Sequence, residues 1–209
     1  ENVEIHENQA ANWRFPVQWV VRPQTDDLHD YRGYAGRVLG EGLAVGDQVI
    51  IYPSETYSTV KAIEFNGLQL ERAENGQSVI LHLTDDVDIS RGDTIANVEK
   101  QPKFERNIQA NVCWFDNKPL DTEQIYLVQS HSKLTKIKIV DVLYKFDINT
   151  QEKVFDETIK LNDIGRIAIK SAENLVFDLQ AENSANSQAI IIDPRTNLTV
   201  GALMIQAVD

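Results

Sequence analysis

A single cysteine, Cys113, leaves the chain without an internal disulfide, so nothing in it asks for an oxidising compartment. Long hydrophobic runs are also missing. The apolar stretches are short and broken by polar residues, far from the ~18 residues that span a bilayer. Basic charge is scarce: 20 Lys and Arg stand against 32 Asp and Glu, a formal net charge of -12 with a pI near 4.7. Such a balance opposes nonspecific attraction to a phosphate backbone, which needs a basic face. The first residues, Glu1-Asn2-Val3-Glu4-Ile5-His6-Glu7, have neither the basic start nor the apolar core of a secretory signal. Together these absences point to a cytoplasmic setting, with no membrane association and no nucleic-acid partner expected. The start without methionine, in mid-pattern, reads as a piece of something longer.

Chemistry-bearing motifs are scarce as well. A phosphate-cradling loop needs Gly-x-x-x-x-Gly-Lys-Ser/Thr, with glycines that let backbone N–H groups converge, and no such run occurs. Tight GTP binding by this chain alone is therefore not expected. Asp30-Tyr31-Arg32-Gly33 fits Asp-x-x-Gly by spacing, and Asn117-Lys118 imitates a guanine-reading Asn-Lys-x-Asp whose aspartate comes one position late, at Asp121; both read as chance matches. His6, His29, His82 and His131 are scattered, without ligand spacing to Cys113. Asp85, Asp86 and Asp88 read as a solvated acidic loop before a cation site. Ser130, His131 and Asp141 have no nucleophile elbow to unite them, and Arg91-Gly92-Asp93 reads as a turn between strands. No catalytic, cofactor-binding or metal-binding residue is predicted. Lys133, Lys136 and Lys138 place positive charge along one strand, read first as a solvated outer face and second as a contact for an acidic partner.

What the sequence does contain is strand pattern. At 209 residues the chain suits one large domain or two small ones, able to bury roughly two thirds of its unfolded surface. Trp13, Phe15, Val17, Trp19 and Val21 alternate with Arg14, Gln18 and Arg22, predicting a half-buried strand with an aromatic inner face; Pro16 within it signals an edge or a bulge. Residues 24–29 form a polar loop. Residues 31–49 read as strand, turn, strand, with Gly40, Gly42 and Gly46 supplying the reversals. Asn66-Gly67 is a two-residue hairpin signal after a strand over 58–65. Val79, Leu81 and Leu83 define another strand, an acidic loop follows, and 94–98 closes the set. Lys100-Gln101-Pro102-Lys103 is the best boundary. Beyond it the pattern restarts: Ile108, Ala110, Val112 and Trp114 share one face, and further strands are predicted over 125–129, 135–146, 164–170, 175–179, 188–192 and 198–206. Residues 152–161 are expected as loop or strand. Many short strands without helical periodicity mean a sandwich or barrel.

Gly36-Arg37-Val38, a short turn, then Leu43-Ala44-Val45-Gly46-Asp47-Gln48-Val49 resembles the β-barrel that follows the nucleotide-binding domain in translation-type GTPases. The flanks Phe15-Pro16-Val17-Gln18-Trp19-Val20-Val21-Arg22-Pro23 and Asp30 to Gly36 narrow the resemblance to the GTPase subunit of bacterial sulfate adenylyltransferase. Gln109 to Trp114, Thr135 to Lys138, Asp147-Ile148-Asn149-Thr150, Leu161 to Arg166 and Thr196 to Ala202 extend it over most of the chain. Glu41 and Glu55 stand where the family pattern leads one to expect turn glycines. The resemblance implies an all-β fold of two consecutive β-barrels like domains 2 and 3 of elongation factor Tu. Residues 1–11 would be a linker from a GTPase domain, 12–101 the first barrel and 102–209 the second. It further implies a subunit that uses GTP hydrolysis to drive formation of adenylyl sulfate. GTP and Mg would be held in the GTPase domain rather than in this chain, and the partners would be that domain and the small adenylyltransferase subunit. Arg22, Tyr31, Arg32 and Arg37 are the expected interface residues, since arginine and tyrosine dominate binding hot spots. The alternative, from a different class, is a translation-factor module that binds aminoacyl-tRNA or the ribosome.

Overall fold

The computed structural model describes residues 13–22, 31–147, 150, 152–156 and 158–208. The expected linker over 1–11 and the polar loop over 24–29 lie outside the described residues. Nine strands come first: β1 (Arg14–Val21), β2 (Gly33–Arg37), β3 (Leu43–Ala44), β4 (Gln48–Tyr52), β5 (Thr56–Phe65), β6 (Leu68–Leu70), β7 (Arg72–Ala73), β8 (Ser78–Leu83) and β9 (Thr94–Asn97). Seven follow: β10 (Lys103–Trp114), β11 (Ile125–Ser130), β12 (Lys133–Phe146), β13 (Lys153–Val154), β14 (Ile164–Phe177), β15 (Gln188–Asp193) and β16 (Leu198–Val208). Among the described residues the helical content is one 3-10 turn, Ser184–Asn186, and no helix is long and apolar enough to cross a membrane.

Each half closes on itself. The first sheet runs β4-β9-β1-β2-β8-β5, and pairing of β4 with β5 completes a six-stranded barrel from which β6 hangs as a hairpin. The second runs β11-β15-β16-β10-β14-β12, closed by β11 on β12, with β13 appended to β12. Closure removes the exposed edges that would otherwise invite association. Residues pointing inward on alternating positions fill each barrel: Phe15, Val17, Tyr34, Val60, Ile63, Val79 and Leu81 in the first, Ile108, Ala110, Val112, Trp114, Ile137 and Ile169 in the second. The Asn66-Gly67 turn has positive φ at both residues, 50° and 76°, as a two-residue β5–β6 hairpin requires. Glu55 also sits in the left-handed region, at φ 54°, the backbone a glycine would adopt freely.

Three sequence expectations are corrected. Trp19 does not share an inner face with Trp13, Phe15 and Val17: it is 65% exposed. A register shift between Val17 and Trp19 in the pairing of β1 with β2 inserts one residue and reverses the alternation beyond it. The two strands expected over 164–170 and 175–179 are one 14-residue strand, β14. Its partner β10 pairs Asn107 with Lys170 and Glu105 with Leu175, so residues 171–174 face Arg106 alone; the strand bends there and its apolar alternation lapses.

Arg14, placed by alternation on the solvent side of β1, is fully buried. Its outer face is covered by the second barrel, where Asp178 receives Nε at 2.9 Å and Nη2 at 2.7 Å in a two-pronged ion pair, while Nη1 donates to the Trp13 carbonyl at 3.0 Å. Asn186 Nδ2 donates to the same carboxylate at 2.9 Å, and its Oδ1 accepts from His131 Nε2 at 3.1 Å. A continuous polar chain thus crosses the seam from β1 to the β11–β12 turn. Beside it Ile50, Tyr52 and Ala96 of the first barrel pack with Phe104 and Val176 of the second, the Tyr52 and Phe104 rings 5.1 Å apart.

Candidate interface cleft

The first barrel carries a cleft of about 710 Å³ on its outer wall, formed by the approach to β2, the hairpin β5–β6, the end of β8 and the acidic loop after it. Gly33 makes the wall tight. A Cβ there would meet Ile80 Cγ2 at 2.5 Å and His82 Cε1 at 3.3 Å, so only glycine lets β2 run this close beneath the His82 ring. Tyr31 then stands edge-on to His82, centroids 4.9 Å apart, and its hydroxyl donates to Glu64 Oε2 at 3.0 Å. His82 Nδ1 donates to the Arg32 carbonyl at 3.0 Å, which can only accept, and Nε2 lies 3.5 Å from the same Glu64 oxygen. One carboxylate therefore gathers a phenol and an imidazole on the cleft floor.

The rim is charged. Arg32 Nη1 bonds to Asp86 and donates to the Val87 carbonyl at 2.9 Å, a carbonyl that also accepts from the Tyr34 hydroxyl at 2.8 Å. Arg22 approaches Asp88 at 3.8 Å. Ser58 and Thr84 donate to Asp85 Oδ2 at 2.7 and 3.0 Å and hold its carboxyl below the usual range. Burial, then the bond to Glu64, pushes the Tyr31 phenol up, and burial does the same to Tyr34. Both phenols stay protonated at neutral pH and serve as donors. Among the described residues no group of three or more His, Cys, Asp or Glu is placed to hold a metal ion. Guanidinium groups, fixed phenols and a shared carboxylate on an open concave surface suit recognition of a polar partner surface.

Of the four interface residues expected from the sequence, the fold brings Arg22, Tyr31 and Arg32 together at this cleft. Arg37 is not with them. It sits at the far end of β2, about 20 Å of extended chain from Tyr31, where its Nε donates to the Gly76 carbonyl at 3.0 Å and braces the turn before β8. Glu64 and His82 were not singled out as functional. Alternation in β8 puts His82 outward, but nothing in the sequence brings it beside Tyr31 and Glu64, which lie 51 and 18 positions away. Asp30, the aspartate of the Asp-x-x-Gly imitation, lies outside the described residues, whereas Asn117 and Lys118 form an exposed turn that bonds to Trp114 and Asp116.

Residues 107–206 match the family "GTP-eEF1A C-terminal domain-like". Along nearly the whole chain the sequence is 35% identical to sulfate adenylyltransferase subunit 1 of Bacteroides fragilis over 207 residues, 98% of this chain and 42% of that protein. It is 37% identical to the protein of the same name from Teredinibacter turnerae over 206 residues, 98% of this chain and 43% of that one. The bifunctional enzyme CysN/CysC of Mycobacterium tuberculosis is 36% identical over 194 residues, 92% of this chain and 32% of that protein. The chain thus spans less than half the length of these relatives. Among solved structures, Sup35 complexed with GMPPNP superposes over 100% of this chain and 50% of its own with TM-score 0.83 at 12% identity. Translation elongation factor SelB from Methanococcus maripaludis superposes over 100% and 45% with TM-score 0.74 at 16% identity. At that distance the likeness speaks for the fold: two consecutive barrels of the translation-factor type.

Proposed function

We propose that this chain, which is homologous along nearly its whole length to sulfate adenylyltransferase subunit 1 and shares its translation-factor-type barrels, is the two-barrel portion of such a subunit. The whole protein would hydrolyse GTP to drive a small adenylyltransferase subunit in the cytoplasm, joining sulfate and ATP into adenylyl sulfate and pyrophosphate. GTP and Mg would be bound by a GTPase domain and not by these barrels. The observation that carries the reading is that identity of 35–37% spans both barrels rather than the second alone.

In this reading the cleft of the first barrel is a contact surface. Arg22, Tyr31 and Arg32 line it, and Arg37 braces the neighbouring turn rather than joining it. Coupling between a GTPase site and a distant adenylyltransferase site requires a body whose position depends on nucleotide state. Barrels joined through a buried ion pair suit that task. The alternative, a module binding aminoacyl-tRNA or the ribosome, is favoured by the likeness to Sup35 and SelB, but that likeness speaks for fold at 12–16% identity and the charge of -12 opposes RNA.

Calorimetry of the chain against a purified small adenylyltransferase subunit, and separately against an isolated GTPase domain, tests the assignment. Binding to either is expected, weakened at least about tenfold by Arg22→Glu with Arg32→Glu, as for central charged anchors. Binding to tRNA at physiological salt, with neither protein bound, would replace this reading with the alternative.

A further inference from the structure

The outer face of β12 and β14 carries a charge arrangement that the fold does not use. Lys138 on β12 stands directly across from Lys170 on β14, and Ile125 and Asn107 extend the same row on either side. Lys136, two residues before Lys138 and so on the same face, adds a third cation beside Leu127. All three lysines are exposed. Like charges directly opposite each other on a sheet are destabilising; the next outward position on β12, past the irregularity at Val140, is Asp141, which stands opposite Ala168 and not opposite a lysine. Lys138 has Glu123 at 3.9 Å, itself 87% exposed. Among the described residues the side chains of Lys136 and Lys170 have no hydrogen-bond or ion-pair partner. Lys133, at the start of the same strand, differs: it is bonded to Glu173 at 2.7 Å.

Exposed aliphatic surface adjoins the cations. Val140 is 59% exposed and Ile125 45% exposed. From this juxtaposition we infer that the β12–β14 face is a docking surface for an acidic segment of a partner protein. Carboxylates of that segment meet Lys136, Lys138 and Lys170, and its aliphatic part lies on Val140 and Ile125. A protein fits better than a nucleic acid for two reasons. Three cations on a chain of net charge -12 leave most of the surroundings repulsive to a phosphate backbone, and exposed aliphatic side chains offer such a backbone nothing. The face belongs to the second barrel and does not depend on the cleft of the first.

The test uses the 209-residue chain and a fluorescent oligoglutamate peptide as probe. Binding that weakens as salt rises is expected, with a loss of at least about tenfold in the triple variant Lys136→Glu, Lys138→Glu, Lys170→Glu. A control triple, Lys118→Glu, Lys153→Glu, Lys160→Glu, changes net charge by the same amount at other exposed sites and is expected to keep the affinity. Equal loss in both triples, no binding of the peptide by the parent chain, or tighter binding of a short DNA duplex than of the peptide would each overturn the proposal. A second readout needs no partner. Because Lys170 opposes Lys138, Lys170→Glu alone is expected to raise Tm by about 1–2 °C; a lower Tm would show that the lysines are not in conflict and would overturn the proposal.

Discussion

At the scale of single residues, Arg14 is the side chain on which the joint between the barrels turns. Its guanidinium and the Asp178 carboxylate are 1% and 5% exposed, so each is a charge taken out of water and answered almost wholly by the other. Removing one partner strands a buried charge, which typically costs about 3–5 kcal/mol, whereas replacing both by apolar groups of similar volume is often neutral or favourable. Arg14→Leu is therefore expected to destabilise the chain by about 3 kcal/mol in urea unfolding, and the double variant Arg14→Leu, Asp178→Leu by clearly less. Asn186 complicates the second case, since its amide also donates to Asp178 and would lose that acceptor. Equal destabilisation in both variants would mean that the pair fixes geometry without any stranded-charge penalty. Glu55 makes the opposite prediction: at φ 54° a side chain is strained where glycine is not, so Glu55→Gly is expected to raise stability by about 0.5–1 kcal/mol. An unchanged or lower urea midpoint would show that contacts of the Glu55 side chain outweigh the backbone strain.

At the scale of elements, legibility followed how local the determining interaction is. Val79, Leu81 and Leu83 alternate and point inward, and so do Ile108, Ala110, Val112 and Trp114, because burial on one side of a strand imposes period two on the sequence itself. Asn66-Gly67 announced its hairpin because that turn needs positive φ at both positions. Trp19 was misplaced because a bulge is set by pairing with β2, and residues 171–174 because their lapse in pattern reflects a misfit with β10. Arg14 was hidden more deeply, since its partner lies 164 residues away in the other barrel. The cleft was half legible for the same reason. Arg22, Tyr31 and Arg32 sit close in sequence and were picked by residue type, while Glu64 and His82 reach them only through the order β2-β8-β5 of the closed sheet.

At the scale of the whole molecule, the polar chain from Arg14 through Asp178 and Asn186 to His131 ties the stability of the seam to pH. Asn186 presents its oxygen to His131 and its nitrogen to Asp178, so His131 carries its proton on Nε2 when neutral. Charging the ring means adding a proton at Nδ1. The protein packed around its Nε2 side disfavours this and pushes His131 below its ordinary value of 6.5, against the smaller opposing pull of the Asn186 bond; more than a third of the residue stays exposed, so the effect on stability is small. The charged groups around the turn are mixed: Lys133 with Glu173 on the hairpin side and Asp93 from the first barrel near Lys133. A base whose folded pKa is depressed contributes stability that is present above the unfolded value and lost as pH falls through the folded one. The chain should thus lose stability as pH drops below about 6.5. That window lies above the one, below about pH 4, in which Asp85, Asp156 and Asp193, all held low by hydrogen bonds, begin to take up protons. His131 itself adopts φ 50°, a conformation asparagine tolerates, so His131→Asn removes the titrating ring at small backbone cost. Urea midpoints at pH 7.5, 6 and 5 should fall for the parent chain and stay flat for the variant across that range. A parallel fall in both would assign the acid loss to the carboxylates and leave His131 a spectator at the seam.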